Sequence, residues 1–369
     1  MRLFLCGDVM TGRGIDQIMP HPSDPILYEN YLRSAADYVK LAERRSGPIP
    51  RAVPFDYIWG DALGEIDRRE ADLRIINLET SITADGVPEP KGINYRMHPD
   101  NLGCLTVAEI DCCVLANNHI ADWGPASLED TLRALQATGL ATAGAGLDPD
   151  SAARPAVLDA RPGKRLLVFA FACPSSGIPA HWATERERPG VNFLADLSAG
   201  ALIAIARWID EWRRPGDIVL VSIHWGPNWG YELPGQHRRF AHGLIDRAGV
   251  DVIHGHSSHH PLAVEIHDGR PIFYGCGDFI SDYEGITGHE AFRPDLALAY
   301  FVDLDDASNK VRHIEMVPFR MRRFRLVRAS AAEAVWLWRT MARECLRFGR
   351  NIRLSEQSTL ILSEAASGS

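Results

Sequence analysis

The sequence predicts a layered α/β fold. Three observations lead there: short apolar runs that read as buried strands, helix-like stretches between them, and a polar residue of related chemistry at the end of run after run. The runs are RLFLC (2–6), LRIINL (73–78), CCVLA (112–116), RLLVFAF (165–171), DIVLVSI (217–223) and DVIHG (251–255). All are short enough for strands rather than buried helices.

Between the first two runs a Pro-rich segment, residues 20–54, reads as an elaborated loop insertion. After the third run Ser127 is expected to cap a helix with Asp130 three positions on. Leu128, Leu132 and Leu135 share its apolar face and Gly139 ends it. A second helix is expected from Gln236 to Ala248, turning Phe240, Leu244 and Ile245 inward before Gly249, and a third from Ala331 to Phe348. We expect one domain over residues 1–325, a helical and strand extension packed on it over 326–360, and a disordered tail over 361–369.

With 46% hydrophobic residues in 369, the chain can bury a substantial core. Its net charge of −9 and lack of a long basic run exclude nucleic acid as an expected partner. No run approaches the roughly 18 apolar residues of a membrane span. MRLFLCGDVM lacks the cationic start and long apolar core of an export signal, so a cytoplasmic location is expected. Seven cysteines without paired spacing fit reduced thiols, with Cys112 and Cys113 in the core.

In layered α/β proteins ligands gather beyond the carboxyl ends of strands. Here those positions hold Asp8; Asn77 and Glu79; Asn117, Asn118 and His119; His224; and finally His254, His256, His259 and His260. Any one alone reads as a cap, a loop bond or a structural histidine. Five consecutive ends rich in oxygen and imidazole donors point to a shared divalent-metal site. The sulfur-free set suits Mn, Mg, Ca, Fe or Zn, and its size calls for two or more ions bridged by a carboxylate such as Asp8.

GDVM (7–10), INLET (76–80), LANNHIADWG (115–124), HWG (224–226), GHSSHH (255–260) and YGCGDF (274–279) occur in an order that resembles the CapA-type proteins of poly-γ-glutamate capsule synthesis. The resemblance implies the calcineurin-like metallophosphoesterase fold, a four-layer α/β/β/α sandwich. It further implies metal ligation by Asp8, Glu79 or Asn77, Asn118, His224, His256 and His259, with His119 assisting the reacting group. Some features depart from the phosphoesterase pattern. Met10 stands where a histidine is usual, Asn77 and Glu79 replace aspartates, Ile120 follows His119, and Ser257 and Ser258 separate the last two histidines.

Two reactions suit such a centre. Paired metals can activate water for phosphoester hydrolysis, or stabilise an enolate while acid and base groups exchange a proton at an amino-acid α-carbon. Some CapA-like proteins linked to lasso-peptide pathways are peptide epimerases, which adds to the second reading. The loop GDFISDYEGITGHE (277–290) brings Asp278 as a further ligand, with Asp282, Glu284, His289 and Glu290. If it folds over the metals rather than lying solvated, His289 can oppose Asp8 as acid to base, with His119 as proton carrier where Asp8 is fully engaged as a ligand. So many carboxylates repel a phosphate, which places epimerisation of a lasso-precursor-type peptide or a polyglutamate-like substrate ahead of hydrolysis. A non-catalytic role in polymer assembly is the third reading. For the peptide or amino-acid polymer substrate, Lys91 and Arg96 are candidate carboxylate contacts, Tyr95 a packing partner, and Trp225 a pocket wall.

Overall fold

The computed structural model describes residues 1–364. Its first apolar run is strand β1 (Arg2–Val9), buried at every position after the first. It pairs in parallel with β2 (Leu73–Leu78), which in turn pairs with β3 (Cys112–Val114). A second set contains β4 (Lys164–Ala172), β5 (Ile218–His224) and β6 (Val252–His256), again parallel to one another. The short strand β7 (Asp278–Ile280) lies parallel to β1, while β8 (Leu296–Leu304) is its antiparallel neighbour. These strands belong to a ten-stranded sheet built around β1 and a six-stranded sheet built around β5 and β6.

The two-residue period of a strand shows how the sheets stack. Leu166, Val168, Ala170, Ile218, Leu220 and Val252 join the same core cluster as Leu3, Leu5, Ile75 and Val114 of the larger sheet. Leu167, Phe169, Phe171, Val219, Val221, Ile223 and Ile253 face the other way, onto Ile205 and Ile209 of Ala199–Trp212 and Phe240 and Leu244 of Gly235–Ala248. Further helices cover the larger sheet, among them Pro125–Ala137 through Leu128 and Leu135 and Ala331–Leu346 through Leu337 and Met341. The result is the sandwich of two sheets between helices that the motifs led us to expect. Ser222, His224, His254 and His256 share the parity of the inter-sheet residues, so they project between the sheets toward β1.

Several local expectations are corrected. The helix carrying Leu128 starts at Pro125 with Gly124 as its cap, and Ser127 bonds back to the Gly124 carbonyl from inside the first turn. Proline lacks an N–H that the first turn leaves unbonded anyway, which favours Pro125 at the start. The 20–54 segment contains a twelve-residue helix, Ala35–Ser46, that buries Tyr38, Val39 and Ala42. Residues 361–364, expected in the tail, complete a strand, Leu360–Glu364, paired with Arg350–Leu354; residues 365–369 lie outside the described residues. Every cysteine is buried and free. Among the described residues no helix is long and apolar enough to cross a membrane.

Candidate metal centre

Strand register brings the candidate donors together. Asp8 sits opposite Asn77 on one side and Asp278 on the other, while His224 sits opposite His256 across the β5–β6 pair. Two glycines permit the close approaches. A Cβ on Gly7 would fall 1.6 Å from the Gly277 carbonyl oxygen, and one on Gly255 would fall 2.5 Å from the carbonyls of Phe273 and Tyr274.

Asn77 holds the carboxylates in place. Asn117 donates to the Leu78 carbonyl at 2.8 Å and to Asn77 Oδ1 at 3.0 Å, so the Asn77 amide nitrogen is turned to Asp8 Oδ1 (2.7 Å) and Glu79 Oε2 (2.5 Å). Asn117 takes one of the two lone pairs of the Asn77 oxygen, so Asn77 and Glu79 both keep a donor site, with Glu79 Oε1 the one that faces His224. Among the described residues two groups could hold a metal ion: Asp8, His224 and His256, and Asp8, His259 and Asp278, the donor atoms of each lying within 4.8 Å of one another. Asn118 Oδ1 and Glu79 Oε1 stand 3.0 and 3.7 Å from His224 Nε2. Asp278 Oδ1 pairs with His259 at 3.0 Å, whereas its Oδ2 is buried without a partner. An orphaned carboxylate oxygen beside imidazoles and other carboxylates fits a divalent cation, and the shared Asp8 fits two.

The electrostatics agree. Burial and the nearby Asp278 push Asp8 up to about 8, and burial with Asp8 raises Glu79 well above the ordinary carboxyl range. Burial depresses His224 and His256, which leaves both imidazoles neutral, the form that can ligate a metal. For His259, burial pulls downward but the Asp278 carboxylate overrides it, and the net shift is upward. A carboxyl raised in the folded state stabilises the fold below its unfolded value and loses that contribution as pH climbs through its folded value. Metal-stripped protein is thus expected to melt at progressively lower temperature between about pH 4 and pH 8. Adding a divalent ion should flatten the decline, as differential scanning fluorimetry would record.

His119 is held by a residue that sequence reasoning missed. Asp122, three positions on, accepts from His119 Nδ1 at 2.6 Å, from Lys91 Nζ at 2.7 Å and from the Tyr95 amide at 2.6 Å. The sole clue in the sequence was an acid within the motif LANNHIADWG. His119 Nε2 is left as an acceptor. Burial lowers its pKa to about 4 against the pull of Asp122. Tyr95 stacks on the ring at 3.8 Å, and its hydroxyl meets that of Tyr283 at 2.7 Å.

A cavity of about 870 Å³ lies over these groups, and Asp8, Glu79, Lys91, Tyr95, Asn118, His119, His259 and His289 all line it. The first part of the 277–290 loop is folded against the site, with residues 277–282 buried, while residues 286–290, His289 among them, are exposed at the cavity rim. Asp282 is fully buried against Arg13, with bonds of 2.5 and 3.2 Å, and Glu284 accepts from the Arg323 amide at 2.6 Å. His289 is stacked on Trp229 at 3.9 Å, its ring plane only 4° away. Two expected substrate contacts lie elsewhere. Trp225 packs in the core on the helix side, stacked on His237 and donating to the Tyr274 carbonyl. Arg96 lies over the Trp123 ring and bonds the Asp24 carbonyl. Lys91 does reach the cavity, with its amine already held by Asp122 and the Asn118 carbonyl.

Residues 2–283 match the family model described as bacterial capsule synthesis protein PGA_cap. The chain is similar to the "Probable polyglutamine synthesis accessory protein" of Mycobacterium tuberculosis, 46% identical over 366 residues, which is 99% of this chain and 96% of that protein. It is also similar to the "PGA biosynthesis protein CapA" of Bacillus subtilis, 31% identical over 278 residues, covering 75% of this chain and 62% of that one. The "Capsule biosynthesis protein CapA" of Bacillus anthracis is 23% identical over 283 residues, covering 76% and 60% respectively.

Proposed function

The chain belongs to the PGA_cap family of bacterial capsule synthesis proteins, within the metallophosphoesterase superfamily, and from that premise we propose that it is a metal-dependent acid–base enzyme acting on an amide-linked amino-acid polymer of the polyglutamate kind. The reaction we assign is epimerisation at an α-carbon. One observation carries it: His119 and His289 open onto the same cavity as the Asp8-centred donors, and neither belongs to the two ligating groups.

Divalent ions held by those groups would supply a Lewis acid for a substrate carbonyl or carboxylate oxygen. The chain's own residues handle the proton. Asp122 fixes the His119 proton on Nδ1, so Nε2 is an acceptor at neutral pH and can take the proton as the Cα–H bond breaks. His289 then returns a proton to the opposite face. The exchange consumes no oxidant, reductant or second substrate. Asp8 serves as a ligand in this scheme rather than as the base. Trp229 stacked on His289 and Tyr95 stacked on His119 fix the two rings.

A second reading, hydrolysis at the same centre, is favoured by the Asp122–His119 pair standing beside Asn118, where a histidine assists the reacting group in phosphoesterases of this fold. The two are separated by incubating metal-loaded protein with γ-linked glutamate oligomers in deuterated water and, in parallel, with an aryl phosphate. Deuterium should enter at Cα only with metal present, and His289→Gln should slow it by about a hundredfold or more. Metal-dependent phosphate release without exchange would replace epimerisation by hydrolysis. Neither activity would leave the accessory role that the mycobacterial relative's name describes.

A further inference from the structure

A line of hydrogen bonds between the sheets backs His224 and His256 with two residues, Ser222 and His254, that the scheme above does not use. It runs from the Cys6 carbonyl through His254, Ser222 and His256 to His224. His254 Nε2 lies 2.7 Å from the Cys6 oxygen and its Nδ1 lies 3.2 Å from Ser222 Oγ. Ser222 Oγ is 2.7 Å from His256 Nε2, and the Nδ1 atoms of His256 and His224 are 2.6 Å apart. Strand register sets the order, because Ser222 lies opposite His254 and His224 opposite His256.

The proton positions follow from one fixed point. A carbonyl oxygen can only accept, so His254 carries its proton on Nε2. His254 is fully buried and bonded to no carboxylate, hence neutral, and its Nδ1 must accept. The Ser222 hydroxyl is the donor beside it. That hydroxyl has a single proton, so toward His256 it accepts, and His256 carries its own proton on Nε2. We propose that Ser222 and His254 form a positioning pair that locks His256 in this tautomer, turning the bare Nδ1 rather than a proton toward the ligand group. The inference rests on the metal-centre reading.

The consequence reaches His224. In the metal-free protein its Nδ1 donates to His256 Nδ1, and its Nε2, 3.0 Å from Asn118 Oδ1 and 3.7 Å from Glu79 Oε1, is left with no proton to donate: three acceptor atoms face one another, an arrangement that a cation satisfies and a hydrogen bond does not. This order leaves the Nε2 side of His224 without a proton, and the one proton at His256 Nδ1 belongs to His224, which a cation there would displace. Without an acceptor at position 254 the Ser222 hydroxyl would turn to His256 Nε2. His256 would then hold its proton on Nδ1, and His224 on Nε2, pointing at Asn118. A proton would stand in the cation's place.

The test uses full-length protein labelled with ¹⁵N-histidine, whose spectra distinguish the two neutral tautomers, together with zinc calorimetry. Metal-free wild type should show Nε2-protonated His254 and His256. His254→Leu should move the His256 proton to Nδ1 and weaken zinc binding by about ten- to a hundredfold. Ser222→Ala should weaken zinc binding similarly, while Ser222→Thr, which keeps the hydroxyl, should retain both tautomer and affinity. Wild-type His256 protonated on Nδ1, or a folded His254→Leu protein with unchanged tautomers and affinity, would overturn the proposal. Should both variants fail to fold, the wild-type and Ser222→Thr spectra still decide it. Wild type that binds no zinc, manganese or calcium would instead count against the metal centre, and the tautomers would continue to judge the pair.

Discussion

Asp8→Ala is expected to abolish divalent-metal binding at both positions, with affinity falling by about a hundredfold or more and catalysis falling to background. The expectation follows from its place at the end of β1, where it is the one residue common to both ligating groups. His259→Ala, by contrast, touches only one group and is expected to leave one ion bound. Calorimetric stoichiometry distinguishes the two substitutions. Asp8→Ala is also expected to raise the melting temperature of metal-free protein near pH 8. It removes a carboxyl that burial and Asp278 hold against ionisation, together with its repulsion of Glu79. A general folding defect would lower that temperature, so this sign separates lost ligation from lost structure.

Arg13→Leu is expected to be the most destabilising single change near the site. The guanidinium is buried and donates to Glu29 at 2.9 Å, to the Tyr38 hydroxyl at 2.8 Å and to both oxygens of Asp282. It also lies 3.9 Å above the Tyr38 ring and 4.7 Å from that of Tyr95. Both acidic side chains are wholly inaccessible to solvent. Removing the cation strands two buried carboxylates, a loss of about 3–5 kcal/mol when a buried pair is broken from one side. Against a typical stability of roughly 5–15 kcal/mol this is a large fraction. Denaturant titration should show it, and adding Asp282→Asn should recover part of the loss by removing one stranded charge. Activity should fall as well, because Asp282 anchors the loop that carries Asp278 and His289 to the cavity.

The strands and most of the donor set were readable because each donor follows an apolar run directly. Asp8, His224 and His256 needed only the rule that ligands gather at the carboxyl ends of strands, whereas Asp278 opens β7. What escaped depended on orientation or on distance along the chain. Asn77 reads in the sequence as a ligand candidate alone, and only the fold shows its amide nitrogen orienting Asp8 and Glu79. Trp225 follows His224 by one position, and the two-residue period sends it to the helix side while His224 faces β1. Asp122 was hidden three residues beyond His119, in a stretch with no strand to organise it. The Arg13–Asp282 pair joins residues 269 positions apart, a contact that no local pattern encodes. Ser222 gave no signal at all until its register partner, His254, was known.

Anomalous scattering from crystals grown with manganese puts the arrangement to its most direct trial. Two peaks per chain are expected, one beside His224 and His256 and one beside His259 and Asp278, with the Asp8 carboxylate between them. No peak among these side chains, or a single ion that leaves Asp8 unbound, would contradict a centre organised on that carboxylate.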